Sequence, residues 1–260
     1  MELRPLEIAA VERRMDEIKR GSGPAACTNY FRQKMTGDQI CGVLTEKTAL
    51  FVNDDSDFLR LYFQTIDLGE FTELLKQSSF TAPVVTDYVT REPDASVQQA
   101  FLDAGFDTHA EYVRLVTYEL RNYEKNSRLH YACPNDLAFL WDLLLLNFDK
   151  YTDHLPDKAA LRDLINERQV ILNKEGDVIK GYIVFRVTGT KVNFNYFYNN
   201  SDDPRDALML LHNFYAVLYE RGMKSGFQWN NVKNVRVRRL HRQFGWKEDG
   251  MRDLFYLKRN

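Results

Sequence analysis

Asp94-Ala95-Ser96-Val97-Gln98-Gln99-Ala100-Phe101-Leu102-Asp103-Ala104-Gly105-Phe106 and Asn234-Val235-Arg236-Val237-Arg238-Arg239-Leu240-His241-Arg242-Gln243-Phe244-Gly245-Trp246 carry one pattern. Each opens with an Asp or Asn able to cap a helix and places valine three positions on and a ring seven positions on. Each ends in glycine followed by an aromatic residue. That glycine can take the left-handed conformation that stops a helix, where a residue bearing a Cβ is strained. One such cap arises by chance. Two in register, each preceded by a strand-like run (83–89 and 226–229) and followed by another (111–118 and 253–258), point to duplication.

Working outward from the first copy, Ile8, Val11, Met15 and Ile18 form one apolar helix face, ended by Gly21-Ser22-Gly23-Pro24. A loop follows, then strand-like runs at 48–52 and 59–64, a helix at 68–76, the strand 83–89, the motif helix 95–103 and a closing strand at 111–118. Residues 121–129, rich in charged and amide side chains, form the connector. In the second half, helical patterns at 136–148 and 158–167 lead to strands at 169–173, 179–187 and 191–198, the last two joined through Thr188-Gly189-Thr190. Ser201-Asp202-Asp203-Pro204 is a helix start, with a carboxylate cap before a proline. That helix runs to about 221, where Gly222 can close it. The strand 226–229, a helix at 232–244 and a last strand at 253–258 finish the chain. The expected class is α/β (α+β), as two tandem modules over 1–120 and 129–260.

With 260 residues of which 44% are hydrophobic, the chain can fill a core, which argues against disorder. No run approaches the roughly 18 apolar residues that span a bilayer, and residues 1–15 carry acids without an apolar signal core, so a cytoplasmic location and no membrane are expected. Cys27, Cys41 and Cys133 lack a C-x-x-C spacing and read as reduced thiols. His109, His130, His154 and His212 are scattered without metal-ligand spacing, so no metal is expected. Net charge is −2, yet residues 1–120 carry 12 basic and 20 acidic side chains while 121–260 carry 23 and 17. The second half attracts anions, and the opposite signs equally suit modules that pack on each other. Lys233, Arg236, Arg238, Arg239 and Arg242 form a local basic run. With a pI near 6.2 it reads as a solvated helix face or a contact for phosphates, and nucleic acid is not the expected partner.

In element order and in the repeated motif, the sequence resembles the GNAT acyltransferase superfamily over most of the chain. The resemblance implies two GNAT-like modules, each a mixed, mostly antiparallel sheet flanked by helices. It also implies transfer of an acyl (acetyl) group from acetyl-CoA or another acyl-CoA to an amine of a small molecule or peptide. The strand 191–198 would splay from its neighbour to admit the pantetheine arm, with Phe197, Tyr198 and Asn199 facing the cofactor, and the next loop would cradle the pyrophosphate. There the family's Q/R-x-x-G-x-G/A is replaced by Asn199-Asn200-Ser201-Asp202-Asp203-Pro204-Arg205. Glycine is absent, Pro204 has no amide hydrogen, and Asp202 and Asp203 oppose phosphate. Arg205 is the residue there that can pair with it. The first module offers Ile66-Asp67-Leu68-Gly69-Glu70, one glycine between two acids, so both coenzyme motifs are degenerate.

Asn234 and His241, seven residues apart, fall on one side of the helix and would border the cleft. The family often places a tyrosine where His241 stands, as the acid that protonates the departing thiolate, and an imidazole with its ordinary pKa of about 6.5 can act as acid or base. The other reading of His241 is a half-buried helix residue bonded to a carbonyl. Asn195 is a candidate to bond a substrate, or simply part of a polar strand face. Phe101 cannot donate a proton and Asp94 replaces the asparagine, so the first module is expected to be structural. No glutamate occupies the family's usual base position. Three functions stay open: acyl transfer in the second module, a non-catalytic ligand- or protein-binding role, and transfer from a carrier-protein or aminoacyl donor that needs no pyrophosphate cradle.

Overall fold

The computed structural model describes residues 2–21, 26–28, 40–55 and 57–259. Ser22, Gly23 and Pro24 of the first stop signal lie outside them. The chain divides into two compact units, Met1–Tyr112 with Gly250–Asn260, and Val113–Asp249.

The first unit contains β1 (Arg4–Leu6), α1 (Ile8–Arg20), β2 (Ala26–Cys27), β3 (Ile40–Leu44), β4 (Thr48–Asp54), β5 (Leu59–Thr65), α2 (Leu68–Gln77), β6 (Val84–Thr90) and α3 (Ala95–Asp103). The strand β7 (Asp107–Thr117) follows. Its main sheet runs β1-β3-β4-β5-β6 and ends on part of β13 (Lys247–Lys258). Every pairing along it is antiparallel except β5 with β6. One face packs Phe63, Phe71, Phe101 and Phe106 beneath α2 and α3. The other packs Phe51 and Tyr62 against Val11, Met15 and Ile18 of α1, the apolar stripe read from the sequence. Burying each such side chain is worth roughly 1.5–3 kcal/mol.

The second unit contains β8 (His130–Tyr131), α4 (Leu137–Asn147), α5 (Lys158–Asn166), β9 (Val170–Glu175), β10 (Val178–Thr188), β11 (Lys191–Asn199), α6 (Pro204–Glu220), β12 (Ser225–Asn231) and α7 (Val235–Gln243). Its sheet runs β7-β12-β11-β10-β9-β8. From β8 to β11 neighbours are antiparallel, and β11 with β12 is parallel. Each unit therefore contains an antiparallel meander followed by one parallel step, β5 to β6 in the first and β11 to β12 in the second. The connector is not a loose linker. Asn126 accepts from Asn213 Nδ2 at 3.0 Å and donates to the Met209 carbonyl at 3.0 Å, which fastens it along α6.

The repeated motif forms a capped helix and a left-handed stop in both places. Asp94 Oδ1 accepts from the Ser96 amide at 2.8 Å, and Asn234 Oδ1 from the Val237 amide at 3.3 Å. Gly105 and Gly245 take φ of 83° and 86°. Phe106 N–H then donates to the Phe101 carbonyl at 3.0 Å and Trp246 N–H to the His241 carbonyl at 3.3 Å, the closed turn of a left-handed helix stop.

One expectation is corrected. Residues 253–258 read as the closing strand of the second module, and 111–118 as that of the first. Instead Arg252 through Lys258 pair antiparallel with Thr90 through Val84 of β6, in the first unit, and Val113–Thr117 belong to the second. Both runs follow a Gly-aromatic turn, and local alternation announces a strand without naming its partner. The run Ile40–Leu44, which the sequence places within a loop, forms the strand β3. Gly42 is required there, since a Cβ would stand 2.3 Å from the Leu50 carbonyl oxygen.

Candidate functional site

In the second unit β11 and β12 pair only where they begin, at Lys191 with Ser225, Val192 with Gly226 and Asn193 with Phe227. β11 nevertheless continues to Asn199 and β12 to Asn231. Beyond Asn193 the two strands form a fork. β11 bulges at the same point: Val184 of β10 faces Tyr196 and Phe185 faces Phe194, so Asn195 is an extra residue in β11. A bulge bends and twists its strand. It also reverses the alternation. Phe194 packs on the α6 side, whereas Tyr196 and Tyr198 pack with α4 and α5. The base of the fork is tight, since a Cβ on Gly226 would meet Val192 Cγ1 at 2.8 Å and the Trp246 ring at 2.9 Å.

The first unit has a matching fork, with β5 and β6 paired only at Leu59 with Val84 and Arg60 with Val85. This one is filled by the chain itself. Ala26 and Cys27 pair with Thr65 and Gln64 as β2, and Thr28 N–H donates to the Phe63 carbonyl at 3.0 Å. At its mouth lies a cavity of about 430 Å³, walled by Ala26, the turn from Thr65 to Leu68, Tyr88 and Asp94. Along β11 beyond Asn193, by contrast, no strand among the described residues pairs on the β12 side.

The residues singled out from the sequence fall as follows. Asn195 is the exposed bulge residue, and Phe197, Tyr198 and Asn199 form the half-buried second half of β11. The Phe197 and His241 rings approach to 6.1 Å, so β11 and α7 bring these two together. Asn234 does not share a helix face with His241: it precedes α7, and its side-chain oxygen is spent on the cap. Arg205 turns back on Asp203, with Nη2 2.7 Å from Oδ2 and Nε 3.0 Å from Oδ1.

His241 is 1% exposed. Its ring lies edge-on to Phe194 at 5.1 Å and near Trp246 at 6.0 Å, and its buried Nδ1 has no hydrogen-bond partner. Burial alone pushes its pKa down to about 3, so at neutral pH it is uncharged. Phe101, at the same place in the other copy, meets Phe63 of β5 at 5.4 Å in the same edge-on manner. Gln228 is a residue that sequence patterning does not single out. It stands on β12 just past the last bridge to β11, is 3% exposed, and its buried Nε2 has no partner. By alternation it shares a sheet face with Gly226, over which Trp246 sits. Trp246 is fixed in turn by donating Nε1–H to Tyr215 Oη at 2.6 Å.

No family model matches the sequence, and a search of curated proteins returns no match either. Solved structures do match. A GCN5-related N-acetyltransferase from Sphaerobacter thermophilus superposes with a TM-score of 0.65 at 15% identity, over 88% of this chain and 84% of that one. A GNAT-family acetyltransferase from Colwellia psychrerythraea gives 0.59 at 11% identity, over the whole of both. A tandem GNAT protein from the clavulanic acid biosynthesis pathway gives 0.59 at 10% identity, over 99% of this chain and 98% of that one. The chain has a tandem GNAT fold. Within it the start of α6 does not suit a diphosphate. Asp203 N–H is bonded to Ser201 Oγ at 3.2 Å, Arg205 N–H to Asp203 Oδ1 at 2.9 Å and Asp206 N–H to the Asp203 carbonyl at 3.0 Å, and Pro204 has none to give. The hydrogen bond from Arg205 holds the Asp203 carboxyl below the usual range, so it is charged at neutral pH. Among the described residues no group of three or more His, Cys, Asp and Glu side chains gathers to hold a metal, and no helix is long and apolar enough to cross a membrane.

Proposed function

We propose that the second unit of this tandem GNAT fold transfers an acyl group from an acyl thioester, such as acetyl-CoA, to an amine of a small molecule or peptide, and that the first unit is a non-catalytic partner. The contrast between the forks carries the reading. A strand edge left unpaired takes an extended partner when one is at hand, as β5 takes Ala26, Cys27 and Thr28. The edge of β11 from Asn195 to Asn199 has no such partner among the described residues. An acyl-thioester arm laid there would present its carbonyl near Phe197 and Gln228.

The chemistry asked of the protein is modest. The amine nitrogen bonds to the acyl carbon, the C–S bond breaks, the nitrogen loses a proton to water, and the thiolate leaves and takes one up. Backbone amides at the β11 edge hold the carbonyl oxygen as it gains charge, and the buried Gln228 amide is a further donor in reach of that role. His241, uncharged and walled by rings, has the environment of a positioning group. The amine therefore arrives neutral or yields its proton to solvent, and orientation supplies most of the acceleration.

Two readouts test this. S-acetyl thioesters at a hundred times their dissociation constant add about 2.7 kcal/mol to stability, a rise in Tm of roughly 5 °C or more for a chain of this size. Amines of the accepted class then release free thiol in step with N-acetyl product. Absence of any thermal shift with acetyl thioesters contradicts the proposal, and a shift without thiol release across primary amines leaves a binding protein in its place.

A further inference from the structure

We infer that the donor of the second unit carries its thioester on an extended, pantetheine-like arm that bears no nucleotide diphosphate where it leaves the fork. The inference rests on the acyl-transfer reading and sharpens it, because it separates the part of the donor that the fork can hold from the part that its mouth repels.

The mouth lies where β11 ends and α6 begins. Of the groups there, Asp202, Asp203 and Asp206 are carboxylates. Both nearby guanidiniums are engaged: Arg205 with Asp203 at 2.7 Å, and Arg128 with Asp206 Oδ1 at 2.6 Å. Ser201 Oγ donates to the other oxygen of Asp206 at 2.5 Å. A helix start binds phosphate by turning unbonded N–H groups and positive charge toward it. Here the amides of Asp203, Arg205 and Asp206 are bonded within the turn, Pro204 lacks one, and a net negative charge is added. The first unit makes the same choice at the same place, since Asp67 accepts from the Glu70 amide at 3.1 Å and pairs with Lys47 at 2.9 Å. Two independent helix starts, each closed by its own carboxylate, make the exclusion a feature of the molecule. A neutral arm meets none of this opposition, and a diphosphate meets all of it.

The test uses the full chain with two donors that share a thioester and differ in the nucleotide, S-acetyl-pantetheine and acetyl-CoA. Dissociation constants by calorimetry, and kcat/KM with an accepted amine, are expected to favour S-acetyl-pantetheine several-fold, with the gap narrowing between low and moderate salt. The double variant Asp202→Asn, Asp203→Asn keeps a competent cap, because asparagine caps as well as aspartate. It is expected to bind acetyl-CoA several-fold more tightly and S-acetyl-pantetheine unchanged. If acetyl-CoA binds the native protein as tightly as S-acetyl-pantetheine or more tightly, or the double variant gains nothing for acetyl-CoA, the inference is wrong while acyl transfer stands. If neither thioester binds, the acyl-transfer reading fails and takes the inference with it.

Discussion

An imidazole at position 241 fills the place that a phenyl ring, Phe101, fills in the other unit, and the two side chains meet the same kind of aromatic wall. Stability should register this. The folded pKa of His241 is about 3 and the unfolded value 6.5, so the unfolded chain binds the extra proton as pH falls. The contribution is complete above pH 6.5 and declines by up to about 1.4 kcal/mol per pH unit below it, until about pH 3. His241→Phe should remove that slope, so that between pH 6.5 and 5.5 urea denaturation costs the native protein about 1 kcal/mol more than the variant. In the same vein kcat/KM should show no inflection near pH 6.5, and one found there that disappears in His241→Phe would restore the acid role. Gln228→Leu replaces an unpartnered buried amide by an apolar side chain of similar size. Stability should hold or rise by about 1 kcal/mol, while acyl-thioester binding weakens several-fold. Loss of stability with binding intact would instead make Gln228 structural. Asp253 has the opposite sense to His241. Burial, aided by Asp87, raises its pKa well above the usual carboxylate value despite Arg60. Its cost is absent at low pH and grows as pH rises above about 4, so Asp253→Asn should match the native protein near pH 4 and exceed it by about 1 kcal/mol or more at pH 7. A variant less stable at pH 7 would mean that the carboxylate is ionised and held by Arg60.

At the scale of elements, the strand β13 and the plug β2 make distinct predictions. Tyr256 is buried in the first unit and stacks on Phe101 at 4.4 Å. Tyr256→Ala should cost roughly 3 kcal/mol and speed hydrogen exchange in β5 and β6 before β9 and β10, although residue 256 lies at the end of the chain. Early loss of protection in β9 and β10 would contradict the assignment of that strand. In β2, Thr28→Pro deletes the N–H bonded to Phe63, and Cys27, whose thiol burial pushes up, should be alkylated roughly fivefold faster, as read by mass spectrometry. These are also the elements where the sequence was least legible. The helix stops at Gly105 and Gly245, the cap at Asp203 and the connector through Asn126 were readable because a special backbone angle, a cap or a run of polar residues marks each one locally. The bulge at Asn195 was not, since Val192, Phe194, Tyr196 and Tyr198 alternate in the sequence as though the strand were regular. The partner of β13 was not, because pairing is a long-range property. The burial of Gln228 was not, because a lone glutamine in a strand reads as an exposed edge residue.

For the molecule as a whole, identities of 10–15% to structures of the same fold show how little of the architecture depends on particular side chains. What the two units of this chain share is the antiparallel meander with its single parallel step, the fork beyond that step, and the capped helix that follows. The two units differ in what enters that fork. If the second fork receives an extended thioester arm, amide hydrogen exchange across the intact chain, with and without a saturating S-acetyl thioester, will slow along β11 from Asn195 to Asn199 and leave β5 from Leu61 to Thr65 unchanged. Slowing at β5, or at neither strand, contradicts the account.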